Sequence, residues 1–199
     1  MSLGNSLDKA FQQTLPSTDF EPTTREKCAK WLLAKLEAAK WTREIAGEQD
    51  WNALIKGFCD AMCRKRYGMI ISGNCGCGKT SFVDATGVCN DTIHCLLPEE
   101  VRWLNFDDNR DYVNGLMNRN VLIDDFGAQP LFNDYGTPRD YVSEFLCRYE
   151  LYGKGRVFCI TNLRGKPLQE KVGDVVVSRL KNLCVPVLLI GADKRKWII

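Results

Sequence analysis

The sequence has no apolar run near the 18 or so residues of a membrane span, and MSLGNSLDKAFQQ lacks the basic-then-apolar layout of a signal peptide. A soluble cytoplasmic protein with no membrane partner is therefore expected. Histidine is nearly absent: His94 stands alone, which excludes the paired-histidine centres of metal-dependent nucleases. Cysteine is plentiful, with 10 residues, yet Cys59/Cys63, Cys75/Cys77 and Cys89/Cys95 never form paired CxxC ligand sets. A structural zinc site is not expected, and without an export signal the thiols read as reduced, small apolar packers. A guanine-reading NKxD tetrad is also missing, so a GTPase is disfavoured against an ATPase.

Net charge is scarce as well, +2 over 199 residues. By segment this is a near-cancellation: 1–67 carry +2, 68–150 carry −7 and 151–199 carry +7. An acidic middle and a basic end follow.

Residues 1–22 are polar and contain Pro16 and Pro22, a loosely ordered lead-in. Thr23 with Glu26 forms a capping box at a helix start, followed at helical spacing by Cys28, Trp31, Leu32, Leu36 and Ala39. After Gly47 a second helix is predicted from near Asp50, with Trp51, Leu54, Ile55, Phe58 and Met62 on one face. Residues 1–66 thus read as a short helical extension, a candidate for partner binding. Residues 67–199 read as a separate α/β core.

In that core, strands are expected at 69–72, 101–106, 121–123, 157–160 and 185–190, alternating with helices at 79–88, 109–117, 138–152 and 174–183. Apolar runs alternating with helices define a five-stranded parallel sheet in a three-layer sandwich.

One motif carries the chemistry. Gly73, Asn74, Cys75, Gly76, Cys77, Gly78, Lys79 and Thr80 match GxxxxGK[ST], placed after a predicted strand and before a predicted helix, with Ser81 next. Glycines let backbone N–H groups converge on phosphate oxygens, and the helix start adds its positive dipole end. Lys79 is then assigned to the β and γ phosphates of ATP, and the Thr80 hydroxyl to Mg²⁺. Cys75 and Cys77 place two thiols beside the nucleotide; they read as small residues tolerated in the loop rather than a redox switch.

Val121-Leu122-Ile123-Asp124-Asp125 is an apolar strand ending in two carboxylates. Strand side chains alternate, so the two diverge. Asp124 is assigned to the Mg²⁺ shell and Asp125 to polarising the attacking water.

On these residues the chain resembles the AAA+ ATPases of the DnaC and IstB group, replicative helicase loaders and transposase helper ATPases. The resemblance spans about 67–196. It rests on IDDFGAQP at 123–130, YELYGK at 149–154, VFCITNL at 157–163, Ser178-Arg179-Leu180, Leu189-Ile190-Gly191 and Arg195. It implies that Asn162 is the polar sensor orienting water, that Arg179 is an arginine finger acting in trans within a homo-oligomer, and that Arg195 contacts nucleotide. A terminal basic patch explains Arg195 equally well. The implied partners are a replicative helicase or a transposase, and a small helical lid after the core is not expected. The segment GKGRVFCITNLRGK at 153–166 and KRKW at 194–197 mix cations with aromatics, compatible with single-stranded DNA. Composition leaves a solvated basic loop equally open. Two other readings remain: a superfamily 3-like viral helicase motor and a nucleotide-gated adaptor with little hydrolysis.

Overall fold

The computed structural model describes residues 24–191 and 193. Thr23, the lead-in and Arg195 with the KRKW segment lie outside the described residues.

Three helices open the chain: α1 (Arg25–Ala38), α2 (Arg43–Ala46) and α3 (Glu48–Met62). The capping side chain of α1 is Thr24, which accepts from the Lys27 backbone N–H at 3.3 Å. Cys28, Leu32 and Leu36 repeat every four residues and form its buried stripe. The helix expected from near Asp50 is α3 and begins at Glu48, so Glu48 and Asp50 occupy its first turn, where the helix dipole favours acids.

The core contains β1 (Gly68–Gly73), α4 (Lys79–Thr86), β2 (Asp91–His94), α5 (Pro98–Arg102), α6 (Arg110–Leu116) and β3 (Val121–Asp124). It continues with β4 (Phe132–Asp134), β5 (Thr137–Arg139), α7 (Tyr141–Tyr152), β6 (Val157–Thr161), α8 (Lys166–Leu183) and β7 (Cys184–Leu189). Five strands form one sheet in the order β2-β3-β6-β1-β7, with every pairing parallel.

Three expectations are corrected here. Residues 101–106 are not a strand: Pro98 starts α5, and Val101 and Leu104 are buried three apart while Trp103 faces solvent. That is helical periodicity. The strand between the phosphate loop and Asp124 in sequence is β2, a polar edge strand that buries only Ile93 and so lacks an apolar run. The second correction is the start of the helix expected at 138–152. A hairpin, β4–β5, precedes it and turns at Tyr135 and Gly136, both at positive φ, the geometry a two-residue hairpin turn requires. In addition, α8 extends back to Lys166 and breaks at Gly173, whose φ is 83°.

Each face of the sheet carries its own core. Helices α5, α6, α7 and α8 cover one through residues such as Leu116, Phe145, Tyr149 and Leu180. The amino-terminal helices and α4 cover the other: Phe58 of α3 lies against Trp31, Phe82 and Phe158, with ring centroids 5.9, 6.2 and 6.5 Å away. The helices read from sequence as an appendage therefore complete the three-layer sandwich. At Gly57 a Cβ would lie 2.2 Å from Val187 Cγ2, so only glycine lets α3 approach β7 this closely.

Two polar clasps hold that layer. Arg156, at the start of β6, donates to the carbonyls of Ala61, Arg64 and Tyr67 at 3.0, 2.8 and 2.5 Å, and to Met62 at 3.3 Å. These carbonyls cluster at the end of α3 and just beyond it, and those of Ala61 and Arg64 also accept from the Arg64 and Tyr67 N–H groups. Asp50, buried at 3% exposure, accepts from the Ile190 and Gly191 N–H groups at 3.0 and 2.9 Å.

Because α3 shares its core with the sheet, Phe58→Ala should lower the stability of the whole protein by about 3–5 kcal/mol. In urea, far-ultraviolet dichroism and tryptophan fluorescence should report one coincident transition. Two separate transitions would show that the amino-terminal layer unfolds on its own.

Candidate nucleotide site

The order β3-β6-β1 brings the carboxyl ends of three strands side by side, and α/β sheets bind ligands at such ends. β1 delivers Gly73 and the loop, β3 delivers Asp124, and β6, between them, delivers Asn162.

The loop owes its shape to its glycines. Gly76 and Gly78 have φ of 72° and 95°, backbone that residues with a Cβ rarely adopt. At Gly73 a Cβ would lie 2.8 Å from the Leu189 carbonyl oxygen, and at Gly76 it would strike the Asp193 carboxylate at 1.8 Å. Gly78 caps α4 without a side-chain partner, leaving the helix start open to an anion. Trp41 stands behind it, 4.0 Å from where a Gly78 Cβ would be, so the amino-terminal layer backs the loop.

Lys79 is 6% exposed. Its Nζ donates to the carbonyls of Gly73 and Asn74 at 3.0 and 2.8 Å and to Asn162 Oδ1 at 2.8 Å. The Asn162 amide Nδ2 in turn donates to Asp125 Oδ1 at 3.3 Å. Asn162 therefore bridges the loop lysine and the second carboxylate across 83 and 37 residues of sequence.

Thr80, on the first turn of α4, donates its hydroxyl toward Asp124, with Oγ1 3.2 and 3.3 Å from the two carboxylate oxygens. Asp124 also accepts from the Asp125 N–H at 3.0 Å. Asp125 adopts φ 53°, a left-handed conformation that aspartate tolerates better than most residues. That turn directs consecutive carboxylates to Thr80 and to Asn162. Burial raises the Asp124 carboxyl above its ordinary range, and the Asp125 charge adds to this against the Asp125 N–H and Thr80 hydrogen bonds.

A divalent cation fits these donors. A hydroxyl and a half-buried carboxylate are hard oxygen ligands, and Mg²⁺ commonly takes one or two carboxylates plus substrate phosphates and water. No cage of three or more His, Cys, Asp or Glu occurs among the described residues, and a site completed by phosphate needs none.

Ser81 is exposed on the first turn of α4, Cys75 is exposed, and Cys77 is buried with its sulfur 3.9 Å from Lys79 Nζ. Arg179 is not with these residues. It lies near the end of α8, which runs into the amino end of β7, and its Nη1 donates to Glu150 Oε2 at 2.5 Å.

Two participants escaped the sequence reading. Asp84 lies one turn beyond Thr80 on α4, and burial, then the Asp124 charge, raises its carboxyl; the i, i+4 spacing would have revealed it. Gln129 is buried, accepts from Gly127 N–H at 2.7 Å and donates to Asp140 at 3.0 Å. It ties the turn after Asp125 to the cap of α7, and no local signal marked it.

The fold is a three-layer α/β sandwich, a five-stranded parallel sheet with helices on both faces and a phosphate-loop motif between β1 and α4. Among solved structures the chain is similar to the crystal structure of the DnaC helicase loader, at 17% identity and a TM-score of 0.48, over 63% of this chain and 79% of that chain. No family model matches the chain, and no curated protein matches it. Among the described residues no helix is long and apolar enough to cross a membrane.

The raised Asp124 carboxyl has a stability consequence. Between the ordinary carboxylate range and its raised folded value, the folded state binds more protons, so stability falls as pH rises through that window. Asp124→Asn should therefore raise the thermal midpoint of the nucleotide-free, metal-free protein at pH 7. The gain should shrink as pH drops and vanish below about 4. A lower midpoint at pH 7 would contradict the electrostatic reading.

Proposed function

We propose that the protein is a cytoplasmic, Mg²⁺-dependent ATPase that works as a homo-oligomer, acting as a helicase loader or transposition helper in contact with single-stranded DNA. The observation that carries the ATPase reading is the chain Lys79–Asn162–Asp125 beside the Thr80–Asp124 pair.

Phosphoryl transfer requires positioning and charge stabilisation more than covalent chemistry. The backbone of the loop at 74–78 and the start of α4 bind the phosphates. Lys79 exchanges its carbonyl acceptors for phosphate oxygens while Asn162 keeps it aimed. Thr80 and Asp124 hold Mg²⁺, which when bound neutralises phosphate charge. Asp125 accepts a proton from the attacking water, and Asn162, already bonded to Asp125, orients that water toward the γ phosphate. Arg179 belongs to a neighbour's site: it lies at the amino edge of the sheet, whereas its own phosphate loop lies at the carboxyl edge. A contact joining opposite edges is heterologous and builds a ring or a filament.

The basic segment divides. Arg156 is committed to the carbonyls at the end of α3, whereas Lys154 and Arg164 are exposed. DNA contact is assigned to the latter kind.

Lys79→Ala and Arg179→Ala should each reduce ATP turnover by about 100-fold or more. Mixtures of the two should regain activity at interfaces pairing an intact loop with an intact finger. Absence of recovery at every ratio would remove the trans role of Arg179. For DNA, Lys154→Glu should weaken single-strand binding and lower the salt slope by about one. An unchanged titration across salt concentrations would exclude Lys154 from that surface.

A further inference from the structure

On the face opposite the amino-terminal layer, α6, α7 and α8 enclose a concavity of about 510 Å³ lined in part by Phe106, Arg139, Arg148, Tyr152 and Arg179. Its cations differ in state. Arg139 is paired with Asp107, Asp134 and Glu144. Arg179 is paired with Glu150, whose other oxygen accepts from Asn182 at 2.6 Å. Arg148 has no carboxylate or carbonyl partner among the described residues. Its guanidinium lies over the Phe106 ring, 3.4 Å from the centroid, and Arg110 approaches the same ring at 5.3 Å.

A guanidinium stacked on an aromatic ring gives up one face and keeps its N–H edge available for an oxyanion in the plane of the group. Stacking also orders the side chain beforehand, which lowers the entropy lost on binding. The surroundings favour a protein surface that carries the anion. Leu151 and Tyr152, on the wall of the concavity, are each 63% exposed, and Val175, one turn before Arg179 on α8, is 62% exposed. The edge of the protein able to hold phosphate is the opposite one, so a second copy supplies both an anion and an apolar contact.

We infer that Arg148 is a second trans-acting cation, reaching the nucleotide phosphates held by the loop of a neighbouring copy together with Arg179. The inference rests on the ATPase reading above. It divides the labour on this face: Glu150 orients Arg179, and Arg148, already ordered by Phe106, meets the phosphate with no internal pair to break.

The test uses the full chain. Arg148→Ala should bind a fluorescent ATP analogue as the wild type does, yet lose about tenfold or more in turnover, with Arg148→Lys recovering only part. Mixed with Lys79→Ala, it should regain turnover, because its intact loop then meets an intact Arg148. Turnover within about twofold of wild type for Arg148→Ala overturns the proposal. So does a parallel loss of analogue binding, or no recovery on mixing. Turnover that does not need Lys79 overturns the ATPase reading and this proposal together; turnover that needs Lys79 but not Arg148 overturns this proposal alone.

Discussion

A buried ammonium group must find acceptors, and Lys79 finds three oxygens on two separate pieces of chain: Gly73 and Asn74, where β1 passes into the loop, and Asn162, the residue after β6. Among the described residues no carboxylate pairs with it directly. The cost of leaving it unpaired keeps strand, loop and Asn162 in register. Asn162 passes that constraint to Asp125. The strand order that interposes β6 between β1 and β3 is what makes this possible.

The two layers of helices serve the site differently. The amino-terminal layer braces it: Trp41 backs the loop, Asp50 secures the chain leaving β7, and Arg156 fastens the end of α3 to β6. A basic residue that composition would assign to a nucleic-acid surface is thus spent inside the protein. The other layer faces outward with Arg148, Arg179 and a set of exposed apolar side chains.

Much of the fold could be read from periodicity. Strands β1, β3, β6 and β7 are short apolar runs, and the fully buried β6 is the clearest. What periodicity missed were elements whose stability is borrowed. β2 buries a single residue because it lies at the sheet edge, and α5 resembled a strand until its packing separated Val101 and Leu104 from Trp103. The β4–β5 hairpin depends on two residues at positive φ, one of them Tyr135, which carries no turn signal of its own.

The glycine spacing with Lys79 and Thr80, and the apolar strand ending in Asp124 and Asp125, marked the candidate site in the sequence alone, because phosphate binding demands those residue types at those intervals. Tertiary structure alone decided which residues meet. Asn162 bridges Lys79 and Asp125, Asp84 joins the acidic group, Arg156 turns inward, and Arg148 lies unpaired beside Arg179. These contacts join residues far apart in the chain, and only the packing of parallel strands and their crossover helices sets the distances between them.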